Sequence, residues 1–364
     1  MNPAISHSRP FLGQEEIDAV LRLFQSGWVV EGHEVEAFEK AVASHQQRQF
    51  GIAVDSGTSA LHLALSALEI KEDDEILIPS YTCSALLNAV RYVRAKPVLV
   101  DSAQNGFNMD PVDARRKRTP RTRAAIVPYM FGIPSDPNLY ETLEVPIIGD
   151  IAQAFGSEWK TIPLGKCHLL SVCSFYVTKI FTTIKGGMVL TDDPLLAAKC
   201  ENLRSYANHE DSELRYNYRL PNLHAAVGLA QMKRLNFFLD RRKRIASCYH
   251  EAFENYSELR LPFNRWGNIY YRYPVQISPQ DRNSFVKAMK EEGIICGRGV
   301  QMPLHRSLNL PDTEFPMASQ AHDTVVSIPL YPALTDLEVD TVIAGILKVL
   351  RNRTRATAKT SKCC

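Results

Sequence analysis

The chain has 364 residues, 45% of them hydrophobic and 23% charged, the balance of a soluble globular protein long enough for one large and one small domain. Its formal net charge of +2 gives no footing for a nucleic acid or an anionic membrane as partner. No apolar run approaches the roughly 18–20 residues of a membrane span, and the opening MNPAISHSRP is no signal peptide.

Residues up to about Pro10 read as an extended arm, followed by helical spacing of apolar residues over Gly13–Ser26 and Glu34–His45. Gln49–Val54 is a predicted strand, Asp55-Ser56-Gly57-Thr58-Ser59 a turn, and Ala60–Leu68 a helix. Such a turn has two readings. Free backbone N–H groups, hydroxyls and the positive helix end suit an anion, while Ser or Thr can equally serve as a plain N-cap.

Strand and helix then alternate. Glu75–Pro79, Pro97–Asp101, Ala124–Phe131 and Pro146–Gly149 are predicted strands; Cys83–Val93, Asp110–Arg118 and Asn138–Leu143 are predicted helices. The rhythm predicts βαβ units and an α/β fold with a mostly parallel mixed sheet in three layers. The basic run Arg115–Arg118 reads as a solvated helix end, since no aromatic residues interleave as nucleic acid would require.

After a strand at Met188–Thr191 and a helix from Pro194 to about Arg204, one long helix is predicted from Asn222 to about Phe253. It leads to a smaller α+β region with a strand at Ile269–Ile277, a helix at Asp281–Glu291, short strands near Ile294–Met302 and Val325–Ile328, and a helix at Leu337–Leu350. The expected division is 1–240 for arm and large domain, 241–352 for the small domain, and 353–364 for a basic, disordered tail.

The eight cysteines (Cys83, Cys167, Cys173, Cys200, Cys248, Cys296, Cys363 and Cys364) form no Cys-x-x-Cys pair. That sets aside zinc and redox motifs and points to a reducing cytoplasm. Cys363-Cys364 reads either as a lipidation signal or as the end of the tail.

Chemistry gathers where strands end. Ligands in parallel α/β sheets sit at the carboxyl ends of the strands. Gly57-Thr58, Pro79–Thr82, Asp150 and Ser174–Lys179 all follow such an end, so they are expected on one edge. Lys179 lies between two apolar segments, in SVCSFYVTKIFTTIKGGMV. A lysine buried there would lose charge and become a nucleophile toward carbonyl carbon. Asp150, in GDIAQAFG, is read either as the cap of the following turn or as a catalytic acid. A lysine, an acid and an anion cradle are what pyridoxal phosphate asks of a protein.

With SGTSALHLAL, PSYTCSALLNAV, VDSAQNGFNMDP, GDIAQAFG, SFYVTK, NYRLPNLHAAVGLAQ and SIPLYPALTDLEV in this order, the chain resembles the nucleotide-sugar aminotransferases of the DegT/DnrJ/EryC1/StrS family, a branch of fold-type I pyridoxal-phosphate enzymes. The likeness runs from about Pro10 to about Leu350. It implies Lys179 as the Schiff-base lysine and Asp150 as the acid on the pyridine nitrogen. Gln153 would contact the cofactor's ring hydroxyl; Gly57, Thr58, Ser59 and Ser174 would hold its phosphate. Asn217 would reach the phosphate of a partner subunit, so a homodimer with shared sites is implied. Tyr81, Lys185, Arg219 and His305 are implied near the substrate, and no metal is expected.

Two positions depart from the family. Cys83 stands where many relatives stack an aromatic ring, so that either Cys83 packs there thinly or Tyr81 substitutes. Lys185 stands where relatives usually carry an acid. The resemblance implies transfer of an amino group from L-glutamate or glutamine to a keto-sugar on a nucleoside diphosphate. A free keto-cyclitol as acceptor, or a non-catalytic regulatory relative, are the competing readings. A nicotinamide dehydrogenase is disfavoured because no Gly-x-Gly-x-x-Gly follows the first strand.

Overall fold

In the computed structural model, residues 4–30, 32–207, 209–263 and 266–360 are described. Two helices, α1 (Gln14–Ser26) and α2 (His33–His45), precede β1 (Phe50–Val54) and α3 (Gly57–Ala67). Then come β2 (Glu75–Pro79), α4 (Ser84–Tyr92), β3 (Lys96–Val100), α5 (Pro111–Lys117), β4 (Thr122–Pro128) and β5 (Ile147–Asp150). The segment predicted as a helix at Asn138–Leu143 is a 3-10 helix over Pro137–Leu143. A short hairpin, β6 (Glu158–Trp159) and β7 (Ile162–Pro163), leads to β8 (Leu170–Ser174) and β9 (Gly187–Thr191). Helices α6 (Pro194–Leu203), α7 (Asn222–Lys233) and α8 (Leu235–Phe253) follow. The chain ends with β10 (Tyr273–Gln276), α9 (Pro279–Glu291), α10 (Leu304–Ser307), α11 (Pro316–Thr324), β11 (Val325–Ile328) and α12 (Asp336–Thr360).

Seven strands make one sheet in the order β1-β9-β8-β5-β4-β2-β3. Neighbours from β8 to β3 are parallel, and β9 runs antiparallel between β1 and β8. The strands are rich in Ile, Val and Leu because helices cover both faces. Their period of two divides the side chains cleanly. Ile52, Val54, Ile76 and Ile78 join Leu61, Leu65, Leu86 and Val90 of α3 and α4 on one face. Ala53 and Leu77 join Phe38 and Val42 of α2 and Phe238 of α8 on the other.

A third cluster holds Ile245, Tyr249 and Phe253 of α8 with Val275, Phe285, Val326 and Ile346. The extended arm also reaches it: Ile5 is buried there, and its N–H donates to Gly293 O at 2.8 Å.

The short strands expected near Ile294–Met302 are only isolated bridges at Ile294 and Gly297, and three further expectations are corrected. The long helix is two, broken at Arg234 (φ −103°, ψ 6°). Arginine is a good helix former, so no local signal marks the break. It lets α7 lie against α1 through Ala226 and Ala230, while α8 runs from the second cluster into the third. The strand at Ile269–Ile277 shrinks to β10, because residues 269–271 turn back toward the large sheet. Helix α12 runs to Thr360, past the expected end at Leu350 and into the predicted tail. Residues 361–364, with the cysteine pair, lie outside the described residues. The basic run is a helix end, where Arg116 and Lys117 pair with Asp113. Among the described residues, no helix is long and apolar enough to cross a membrane.

Candidate active site

The carboxyl ends of β1, β5 and β8 open on a cavity of about 290 Å³ whose walls include Gly57, Thr58, Asp150, Ser174 and Lys179. Lys179 sits in the connection from β8 to β9, which is tied to itself. Lys179 N–H donates to Tyr176 O at 2.8 Å, Thr183 N–H to Phe175 O at 3.0 Å, and Phe175 N–H to Gly186 O at 2.8 Å. Beneath it Phe175 and Phe181 are buried, with ring centres 5.0 Å apart, and Phe155 stands 5.0 Å from Phe181. The lysine is half-buried rather than enclosed, with Nζ lying 5.4 Å from the centre of the Tyr271 ring. A fully desolvated ammonium is costly, and the cavity wall spares it that.

Asp150 ends β5 and is buried. One oxygen accepts the N–H of Ala152 at 2.9 Å, so it does cap the following turn. The same residue also lines the cavity. Burial pushes its carboxyl up from the ordinary range, while the Ala152 N–H and the Lys179 charge pull it back. Cys173 stands beside it, its thiol pushed well up by burial and by the Asp150 charge.

The turn before α3 also satisfies both of its readings. Ser56 Oγ accepts the Ser59 N–H at 3.1 Å, an ordinary N-cap. Gly57 and Thr58 nonetheless face the cavity, at a helix end whose first N–H groups have no place in the helical ladder. Gly57 has to be glycine, since a Cβ there would stand 2.7 Å from Ser174 Cβ. Ser59 turns the other way, donating to Asp55 Oδ1 at 2.5 Å.

The departures resolve by position. Cys83 is exposed at the cavity wall as N-cap of α4. Tyr81 is buried, its ring stacked 6.0 Å from Phe107, and does not substitute for it. Lys185 is on the rim, 3.5 Å from Asp55 Oδ2. It also lines a larger neighbouring cavity of about 750 Å³, and it is there that Asn217 and Arg219 open, not onto the cavity of Lys179. Gln153 stands behind the wall, its Oε1 accepting Phe131 N–H at 2.9 Å and its Nε2 only 3.8 Å from Met130 Sδ.

His305 is the clear correction. Its ring is fully buried, with Nδ1 2.6 Å from Ser80 Oγ and Nε2 2.9 Å from Asp312 Oδ1, and it stacks on Phe315 at 4.9 Å. It fastens α10 to the end of β2 and offers nothing to a substrate. Conversely, Tyr271, which the sequence places in a strand, lies outside β10 and beside Lys179. The run Tyr270-Tyr271-Arg272-Tyr273 was the available signal, and aromatic density reads equally as strand.

The sequence pattern that defines the DegT/DnrJ/EryC1/StrS aminotransferase family matches residues 10–347. The chain belongs to that family. As a member it is a pyridoxal-phosphate-dependent aminotransferase. It is 30% identical to the uncharacterized protein MJ1066 of Methanocaldococcus jannaschii, over 94% of this chain and 96% of that one. Among solved structures it is similar to the aminotransferase TlmJ of Streptoalloteichus hindustanus, 28% identical with a TM-score of 0.91 over 96% of this chain and all 100% of the other. It is likewise similar to DesV of S. venezuelae, 28% identical with a TM-score of 0.87 over 92% and 94% of the two chains. The cavity of this aminotransferase suits the cofactor: an amine and a buried carboxylate share it with a glycine-walled cradle closed too tightly for a Cβ.

Proposed function

We propose that this aminotransferase moves an amino group from L-glutamate or glutamine to a keto-sugar carried on a nucleoside diphosphate, in the making of amino sugars. The observation that carries the reading is that Lys179 and Asp150, expected to serve one small molecule, line one cavity. When bound, pyridoxal phosphate supplies an electron sink and an aldehyde that exchanges with an amine. Lys179 Nζ is the amine to hold that aldehyde, and the base that takes and returns a proton during exchange. Asp150, already biased by burial toward sharing a proton, would keep one on the ring nitrogen. The N–H groups of Gly57 and Thr58, with Ser174 Oγ, would hold the phosphate. Gln153 Nε2, with only a weak sulfur contact, would meet the ring hydroxyl. Cys83 would lie against the ring face with a polarisable but small surface.

The active unit is a homodimer. Helix α1 is apolar on two sides: Ala19 and Leu23 face α7, while Ile17, Leu21 and Phe24 are exposed at helical spacing, with Trp28 beyond them. The apolar stripe of α1 is wider than its contact with α7 covers, its polar side being Glu15, Asp18, Arg22 and Gln25, and a second subunit would cover the exposed part. Asn217 and Arg219, turned from their own cavity, would then serve the partner's, with Lys185 on the rim between. The protein acts in the cytoplasm; its described cysteines are all free.

The test is a yellow protein that borohydride bleaches, with the label fixed at Lys179. Nucleotide-linked keto-sugars should be aminated from glutamate or glutamine, and free keto-cyclitols should not. Lys179→Ala should lose all transfer. Wild-type turnover in that variant, or amination of cyclitols alone, would defeat the reading.

A further inference from the structure

The C-terminal part of the chain touches the candidate site at Tyr271. Its N–H donates to Phe131 O at 3.0 Å, and Phe131 N–H donates in turn to Gln153 Oε1. Gly132 allows this approach: its φ is +82°, and a Cβ there would meet Ile269 Cγ1 at 2.6 Å and Tyr271 N at 3.2 Å. From the other side, Arg242 Nη1 on α8 donates to Tyr271 O at 3.1 Å and Leu330 O at 3.2 Å. The backbone of Tyr271 is thus clamped between the large sheet and the third cluster.

Its side chain, only 6% exposed, carries Lys179 Nζ over the ring at 5.4 Å and the Arg272 guanidinium at 4.9 Å. The side chain of Thr178, the residue just before Lys179, stands near enough to the phenol to favour its ionised form. We propose that Tyr271 is a positioning residue for Lys179: its ring, fixed by a backbone clamped from both sides, lies beneath the amine and sets where Nζ stands. The inference rests on Lys179 being the cofactor-bearing amine.

The charged groups around Tyr271 are Lys179 from the β8–β9 connection, Arg242 from α8 and Arg272 beside it; Asp150 reaches Lys179 from β5. Burial would push the phenol up, yet Lys179, Arg272, the Thr178 side chain and Arg242 together hold it down at about 8. Burial drives Tyr81, Tyr129, Tyr140 and Tyr249 upward, which leaves that window clear of them.

The experiment is an ultraviolet tyrosinate titration of the cofactor-free protein, with circular dichroism as the check on folding. Wild type should show a transition with its midpoint near 8, Tyr271→Phe should lack it, and Lys179→Met should move it up toward the ordinary value of 10. In Tyr271→Phe reloaded with pyridoxal phosphate, the pH at which the bound cofactor changes colour should fall by about one unit, since a nearby anion favours the protonated form. A transition that survives in Tyr271→Phe, or that does not move in Lys179→Met, overturns the proposal; the Lys179→Met arm decides it even if Tyr271→Phe does not fold. A protein that shows these titrations but never binds pyridoxal phosphate would sustain the Tyr271–Lys179 contact and remove the aminotransfer reading instead.

Discussion

Asp150 carries two tasks on one carboxyl group. It caps a turn through Ala152 and faces the cavity beside Lys179. Its charge is costly there, because burial raises its pKa above the 3.8 of an exposed aspartate. The sign follows from linkage. Below 3.8 both folded and unfolded forms hold the proton and burial costs nothing; above it the unfolded chain ionises first, so stability is lost as pH rises through the raised folded value. Cofactor-free Asp150→Asn should therefore resist urea better than wild type at pH 7, with the gap closing as pH falls toward 3.8. Its aminotransfer should fall by at least about 100-fold, as a proton-holding group is lost. An Asn variant less stable than wild type at pH 7 would show that the carboxylate is structurally required instead.

Elements place these residues through contacts that no single segment announces. The Gly132 approach is one of them. Replacing it with alanine puts a side chain at φ +82° and drives Cβ into Ile269. Gly132→Ala should cost about 1–3 kcal/mol in urea unfolding and should loosen the clamp on Tyr271, seen as faster amide exchange at 269–271. Unchanged stability would mean that the segment moves freely aside. The Gly/Ser/Thr turn before α3 was legible because a cap and an anion cradle need the same residues. The break at Arg234 was not, because arginine suits a helix and only the separate destinations of α7 and α8 require it. His305 misled for the opposite reason. A lone histidine has no local mark of burial, and Ser80, Asp312 and Phe315 come together around it only in the fold.

At the scale of the whole molecule, the exposed apolar side of α1 is the feature a single chain leaves unexplained. Leu21→Glu with Phe24→Glu should place charges in the proposed subunit contact and weaken dimerisation by at least about 100-fold. Sedimentation should show monomers, and activity should recover at high protein concentration; an unaltered dimer would locate the contact elsewhere. The α/β architecture and the placing of Lys179 and Asp150 at one carboxyl edge could be read from residue order alone. Alternation of strand and helix puts every such turn on one edge whatever the side chains do later. Which of those residues face the cavity was decided only by packing. Cys83 rather than Tyr81 lines it, His305 is withdrawn into a buried network, and Tyr271, from a distant segment, meets Lys179 from outside the cavity lining. Periodicity reports which face a residue takes within its own element, whereas these outcomes depend on how elements far apart in the chain close on one another.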